Sequence, residues 1–155
     1  MPQTLEPLLR RHEFFAGLDP QYLALLTGCA ANVTFADGAF LFRQGTPADK
    51  FFLITAGTVA LEIAAPGRVV TVQTLGAGEV TGFSWLLGPH QWQFDGRAVT
   101  KVRAMEMDGA CLRAKCEADP RLGFDLMRRF ASVATRRLQA TRMQIMDVYG
   151  HAGPV

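Results

Sequence analysis

Between Asn32 and Asp108 the apolar residues stop recurring at helical intervals and fall into short runs separated by glycine, a pattern from which no helical bundle can be built. The runs read NVTF, AFLF, KFFLIT, TVALEIAA, VVTVQTL, GEV, RAVTK and VRAMEM. Many short strands with frequent turns predict a barrel, roll or sandwich. Asp37-Gly38, Gln44-Gly45-Thr46-Pro47, Ala56-Gly57 and Ala65-Pro66-Gly67-Arg68 supply the turn residues.

Helical periodicity flanks this middle on both sides. Leu5 to Ala30 is broken by Gly17 and by Asp19-Pro20, an N-cap followed by a first-turn proline, so two short helices are expected. Asp119-Pro120 repeats that signature and opens a helix expected to run to Tyr149, with Gly150 as the residue that stops it. Such a helix would be roughly 45 Å long, more than a small domain needs to cover its own core. Met127, Phe130, Ala134, Leu138, Thr141, Ile145 and Val148 recur every three or four residues along it and predict a coiled-coil seam, hence a homodimer. The expected organisation is one domain over 1–155, with N-terminal helices in 1–31, a β-roll in 32–108 and C-terminal helices in 109–150.

Composition narrows the function classes. Sixteen basic side chains against 14 acidic ones give a formal charge of +2, too mild to imply nucleic acid or membrane binding by electrostatics alone. The basic excess from Arg113 to Arg142 is read as a solvated helix face. MPQTLEPLLRRHEFF is not a secretory leader, and the apolar run Phe51 to Ala65 is interrupted and short of the ~20 residues of a spanning helix, so a cytoplasmic protein away from the membrane is expected. Cys29, Cys111 and Cys116 form an odd set without a CxxC pair, read as buried or incidental thiols of a reducing compartment rather than metal ligands. His12, His90 and His151 have no Ser or Cys at nucleophile spacing, so no catalytic residue, metal or cofactor is expected and an enzyme is the least favoured class.

The strings FFAGLDPQYLALL, FADGAFLFRQGTPADKFFLITAGTVALEI and TLGAGEVTGFSWLLG together resemble the cyclic-nucleotide-binding domain family, which includes the sensor half of catabolite activator proteins. The resemblance covers about Glu13 to Val148 and implies a mainly β fold, a jelly-roll-like β-roll with two short helices before it and a long helix after it. It also implies a phosphate-binding cassette, here at 78–97. In the family that segment reads Gly-Glu-X-Ala-Leu-Leu, then Arg-(Ser/Thr)-Ala. Glycine admits the ligand, helix N–H groups cradle its phosphate, arginine pairs the charge and glutamate accepts from the ribose hydroxyl.

Aligned without a gap, Gly82 is kept, but Phe83 replaces the glutamate, Trp92 the arginine, Gln93 the hydroxyl residue and Phe94 the small alanine. Removing one partner of a buried charge pair costs about 2 to 5 kcal/mol, roughly thirty-fold to several thousand-fold in affinity, so cyclic AMP in the usual pose is not expected. Ser84, His90 and Arg97 are the remaining polar candidates, although alternation along a strand carries Arg97 to the face opposite Trp92. Phe83, Trp85, Trp92 and Phe94 either plug the pocket or line a cavity for a flatter, more apolar ligand.

The expected role is a regulatory module that senses a small molecule or a protein partner. A rearranged cyclic-nucleotide receptor and a structural dimer with a closed pocket are the alternatives. With HAGPV after Gly150, no recognition helix and no specific DNA binding are expected.

Overall fold

A computed structural model of the chain describes residues 5–82 and 90–152, excluding the side chains of residues 144, 145 and 147–152. Helix α1 (Glu6–Arg11), a 3-10 turn (Glu13–Phe15) and α2 (Pro20–Thr27) come first, with Asp19 capping α2 by accepting from the Gln21 N–H at 2.9 Å. The strands are β1 (Ala30–Phe35), β2 (Phe40–Phe42), β3 (Lys50–Ala56), β4 (Val59–Ala65), β5 (Arg68–Leu75), β6 (Val80–Thr81), β7 (Asp95–Ala98) and β8 (Val102–Asp108). Each falls within or against a run read from the sequence, although the run RAVTK ends as a strand at Ala98. Helices α3 (Gly109–Ala118) and α4 (Pro120–Ala152) close the chain.

The strands form two antiparallel sheets, ordered β1-β8-β3-β6 and β2-β7-β4-β5, the β-roll that the sequence implied. Strand β3 explains how the roll and helices share one wall. Its unbroken apolar run Phe51-Phe52-Leu53-Ile54 is buried on both faces: Phe51 and Leu53 join the helix-side core, whereas Phe52 and Ile54 point into the roll. On α4, Leu122, Leu126, Phe130 and Val133 form the inward stripe, and the rings of Phe14, Phe51 and Phe130 meet with centroids 4.9 to 5.2 Å apart.

Four expectations change. Gly150 lies inside α4, a position a helix tolerates at a cost of about 1 kcal/mol relative to alanine. Phe130 turns into the chain's own core at 5% exposure and leaves the seam; the alternating three-four spacing is kept instead by Phe124, Met127, Ala131, Ala134, Leu138 and Thr141, all exposed. The basic residues of α4 are not all solvated. Arg129 bonds Asp125 at 2.6 Å and donates to the carbonyls of Phe14 and Ala16, pinning the 3-10 turn to the helix, and Arg137 also turns inward.

Cys29 and Cys111 are joined as a disulfide, not incidental thiols. The cause is topological. Strands β1 and β8 pair antiparallel with Ala30 opposite Met107, so the residue before the first strand and the helix after the last strand arrive together, with Cα atoms 5.6 Å apart. Cys116 stays a free thiol, and burial pushes its pKa up.

Candidate functional site

The site grows from the edge strand β6. Its two residues pair with Phe52 and Leu53 of β3 and deliver Gly82 to the mouth of the roll with φ of +101°. Beyond the undescribed stretch, the chain returns at His90 and is held by the turn at 45–48. Ala48 N–H donates to the His90 carbonyl at 2.7 Å, Trp92 N–H to Thr46 at 3.0 Å and Gly45 N–H to Trp92 at 2.9 Å. That short ladder aims the Trp92 side chain inward.

Trp92 is buried and stacks on Phe42 with ring centroids 4.0 Å apart and planes within 12°. The indole lies so close over Gly82 that a Cβ there would sit 2.9 Å from the ring and 3.0 Å from the Lys50 carbonyl. Gly96 makes the matching space for Phe42. Thus the position at which the resemblance places an arginine carries a ring that fills the roll beside the glycine.

The remaining candidates scatter. Gln93 is exposed and donates to the Gln91 carbonyl, and Phe94 is also exposed, so neither lines the interior. Phe83, Ser84 and Trp85 lie outside the described residues. Arg97 faces away from the roll, as the strand alternation predicted, and makes two hydrogen bonds to Glu62 at 2.9 and 3.0 Å. Those bonds hold the Glu62 carboxyl below its usual range.

A second feature was not read from the sequence. A cleft of about 440 Å³ opens between α4 and the approach to β6, lined by Glu13, Phe14, Gln73, Val80, Arg136 and Arg137. Arg137 donates to the Val80 carbonyl; burial drags its pKa down to about 10 while the Glu79 carboxylate pulls it back up. It stays a cation at neutral pH, set in a mostly buried wall. The sequence did hold a signal: Leu122, Leu126, Phe130, Val133 and Arg137 follow one helical stripe, and a charge on an inward stripe marks a site.

His12 lies outside that cleft, buried where the 3-10 turn meets β3. Its Nε2 donates to the Ile54 carbonyl at 3.1 Å and its Nδ1 accepts from Phe14 N–H at 3.2 Å, so the ring is neutral and burial lowers its pKa. Among the described residues no His, Cys, Asp or Glu cluster could hold a metal ion, and no helix is long and apolar enough to cross a membrane.

Comparison with known proteins places this geometry. Residues 32–119 match the cyclic nucleotide-binding domain family. A CRP-like cAMP-activated global transcriptional regulator of Mycobacterium tuberculosis is 29% identical over 145 residues, which is 93% of this chain but 63% of the regulator. The chain therefore spans less than two thirds of that relative. The N-terminal domain of a transcriptional regulator from Streptomyces coelicolor superposes with a TM-score of 0.68 at 31% identity, over 89% of this chain and 94% of that one. The Thermus thermophilus catabolite activator protein, at 22% identity and a TM-score of 0.70, covers 88% of this chain and 63% of its own, a likeness of fold alone. With more than half of its length inside the family match, the chain belongs to the cyclic nucleotide-binding domain family.

Proposed function

We propose that this chain is a non-enzymatic regulatory module of the family that does not hold a cyclic nucleotide in the usual pose. One observation supports the reading: Trp92, the residue that the ungapped alignment sets at the family's arginine, has its ring buried against Phe42 and lying over Gly82. The guanidinium that the sequence offered as a substitute, Arg97, is engaged with Glu62 on the outer face. Calorimetry with cyclic AMP and cyclic GMP should give no binding heat at ligand concentrations up to about 100 µM, since losing a buried charge partner weakens affinity by roughly thirty-fold or more. Micromolar binding of either nucleotide would overturn the proposal.

The same module is proposed to act as a homodimer. Phe124 (68% exposed), Met127 (46%) and Leu138 (54%) lie on one heptad seam of α4, and a two-stranded coiled coil is the arrangement that covers such a stripe. Sedimentation should find a dimer at micromolar concentration. Leu138→Glu should raise the dissociation constant at least about thirty-fold, the weight of one buried interface anchor of ~2 kcal/mol. A wild-type monomer at tens of micromolar would rule the dimer out.

A further inference from the structure

We propose that Cys29 and Cys111 form a reversible thiol–disulfide site that fastens helix α3, and through it α4, to the start of the roll. It goes beyond the ligand reading and does not rest on it. Cys29 sits at the junction of α2 and β1, Cys111 in the first turn of α3, and all eight strands lie between them. Oxidation therefore closes the whole β-roll into a covalent ring and ties the C-terminal helices to its first strand.

Two features suit the pair to reversal rather than to a fixed staple. The backbone around it is held without sulfur: Asp108 N–H donates to the Cys29 carbonyl at 2.9 Å, the Asp108 carboxylate caps α3 through Cys111 N–H at 3.1 Å, and the β1–β8 ladder runs alongside. Reduction thus leaves two small apolar thiols in a formed core, a role cysteine fills readily. In addition, Cys111 is only partly buried, so an attacking thiolate has a path to its sulfur while Cys29 is enclosed. The path onward is physical contact, since α3 packs on α4 where a Cβ on Gly123 would lie 3.3 Å from Cys116 Cβ.

The reaction is a two-electron exchange. A dithiol reductant attacks the Cys111 sulfur, the Cys29 thiolate leaves and takes up a proton, and the mixed disulfide resolves to give the Cys111 thiol and the oxidised reductant. An oxidised dithiol takes both electrons and both protons back by the reverse steps, remaking the Cys29–Cys111 bond.

Thiol titration of the native, full-length protein should count one thiol, Cys116, rising to three after millimolar dithiothreitol without denaturant and falling back on re-oxidation. Reduction should lower Tm by about 10 °C, because the closed loop is long. Amides of α3 should exchange about tenfold faster while those of the β4–β5 hairpin do not change. Cys116→Ala should respond as wild type does, and the double variant Cys29→Ala/Cys111→Ala should match the reduced protein with no further response. The proposal fails if the oxidised protein already shows three thiols, if the bond yields only in denaturant, or if α3 exchange is the same in both states; all three readings come from the wild-type protein, whether or not the double variant folds.

Discussion

Gly57→Ala is expected to lower the unfolding free energy by about 2 to 5 kcal/mol, a large share of what a domain of this size has to spare. The turn from β3 to β4 crosses the turn from β7 to β8 at backbone contact. A Cβ on Gly57 would stand 2.2 Å from the Lys101 carbonyl oxygen and 3.0 Å from Val102 Cα, with φ at +91°. Two penalties add: about 1 to 2 kcal/mol for a side chain in the left-handed region, and about 1 to 3 for forcing apart atoms that cannot rotate away. The crossing cannot give locally, because Thr58 N–H bonds the Thr100 hydroxyl and Val99 N–H bonds the Thr58 carbonyl. Gly38→Ala is the matched control, with φ of +86° and nothing within 4 Å of the added carbon. It should lose only the first penalty. Urea unfolding of the pair would separate the terms, and equal losses would show that the crossing contributes nothing.

That contrast also shows what could be read from the chain alone. Asp37-Gly38 and Ala56-Gly57 look alike as turn signals, and both are turns; which of them touches another backbone depends on where β8 lies, a fact no local window contains. The strands were legible because glycine punctuation and β-branched residues act within a few positions. The disulfide was not, since it follows from a pairing between segments 82 residues apart. At the site, the outward turn of Arg97 was legible from strand alternation, whereas the inward reach of Trp92 follows from its backbone bonds to the turn at 45–48. Phe94 escaped that rule because strand β7 begins after it, at Asp95, so no ladder fixes the direction of its ring. Arg137 was misread as solvated because charge outweighed position: its place on the stripe of Leu122 and Phe130 was in the sequence all along.

Trp92→Ala separates the bulk of the ring from the absence of a cation. Removing a buried indole stacked on Phe42 should cost about 3 to 5 kcal/mol, or roughly 10 °C in Tm, and leave an apolar hole beside Gly82. Such a hole, walled by Phe42 and Phe52, stays dry and can take a small aromatic guest. Indole at about ten times its dissociation constant should return about 1.4 kcal/mol to the variant, near 4 °C in Tm, and nothing to the wild type. A loss below about 1 kcal/mol would mean that the ring is not part of the packed interior. Cyclic AMP should still fail to bind the opened variant, because room alone does not neutralise a phosphodiester and Arg97 remains bonded to Glu62 on the outer face. If cyclic AMP entered where indole does, the ring's volume would be the barrier and the missing cation would not matter; entry of indole alone is the outcome expected if the proposed loss of the cation keeps the nucleotide out.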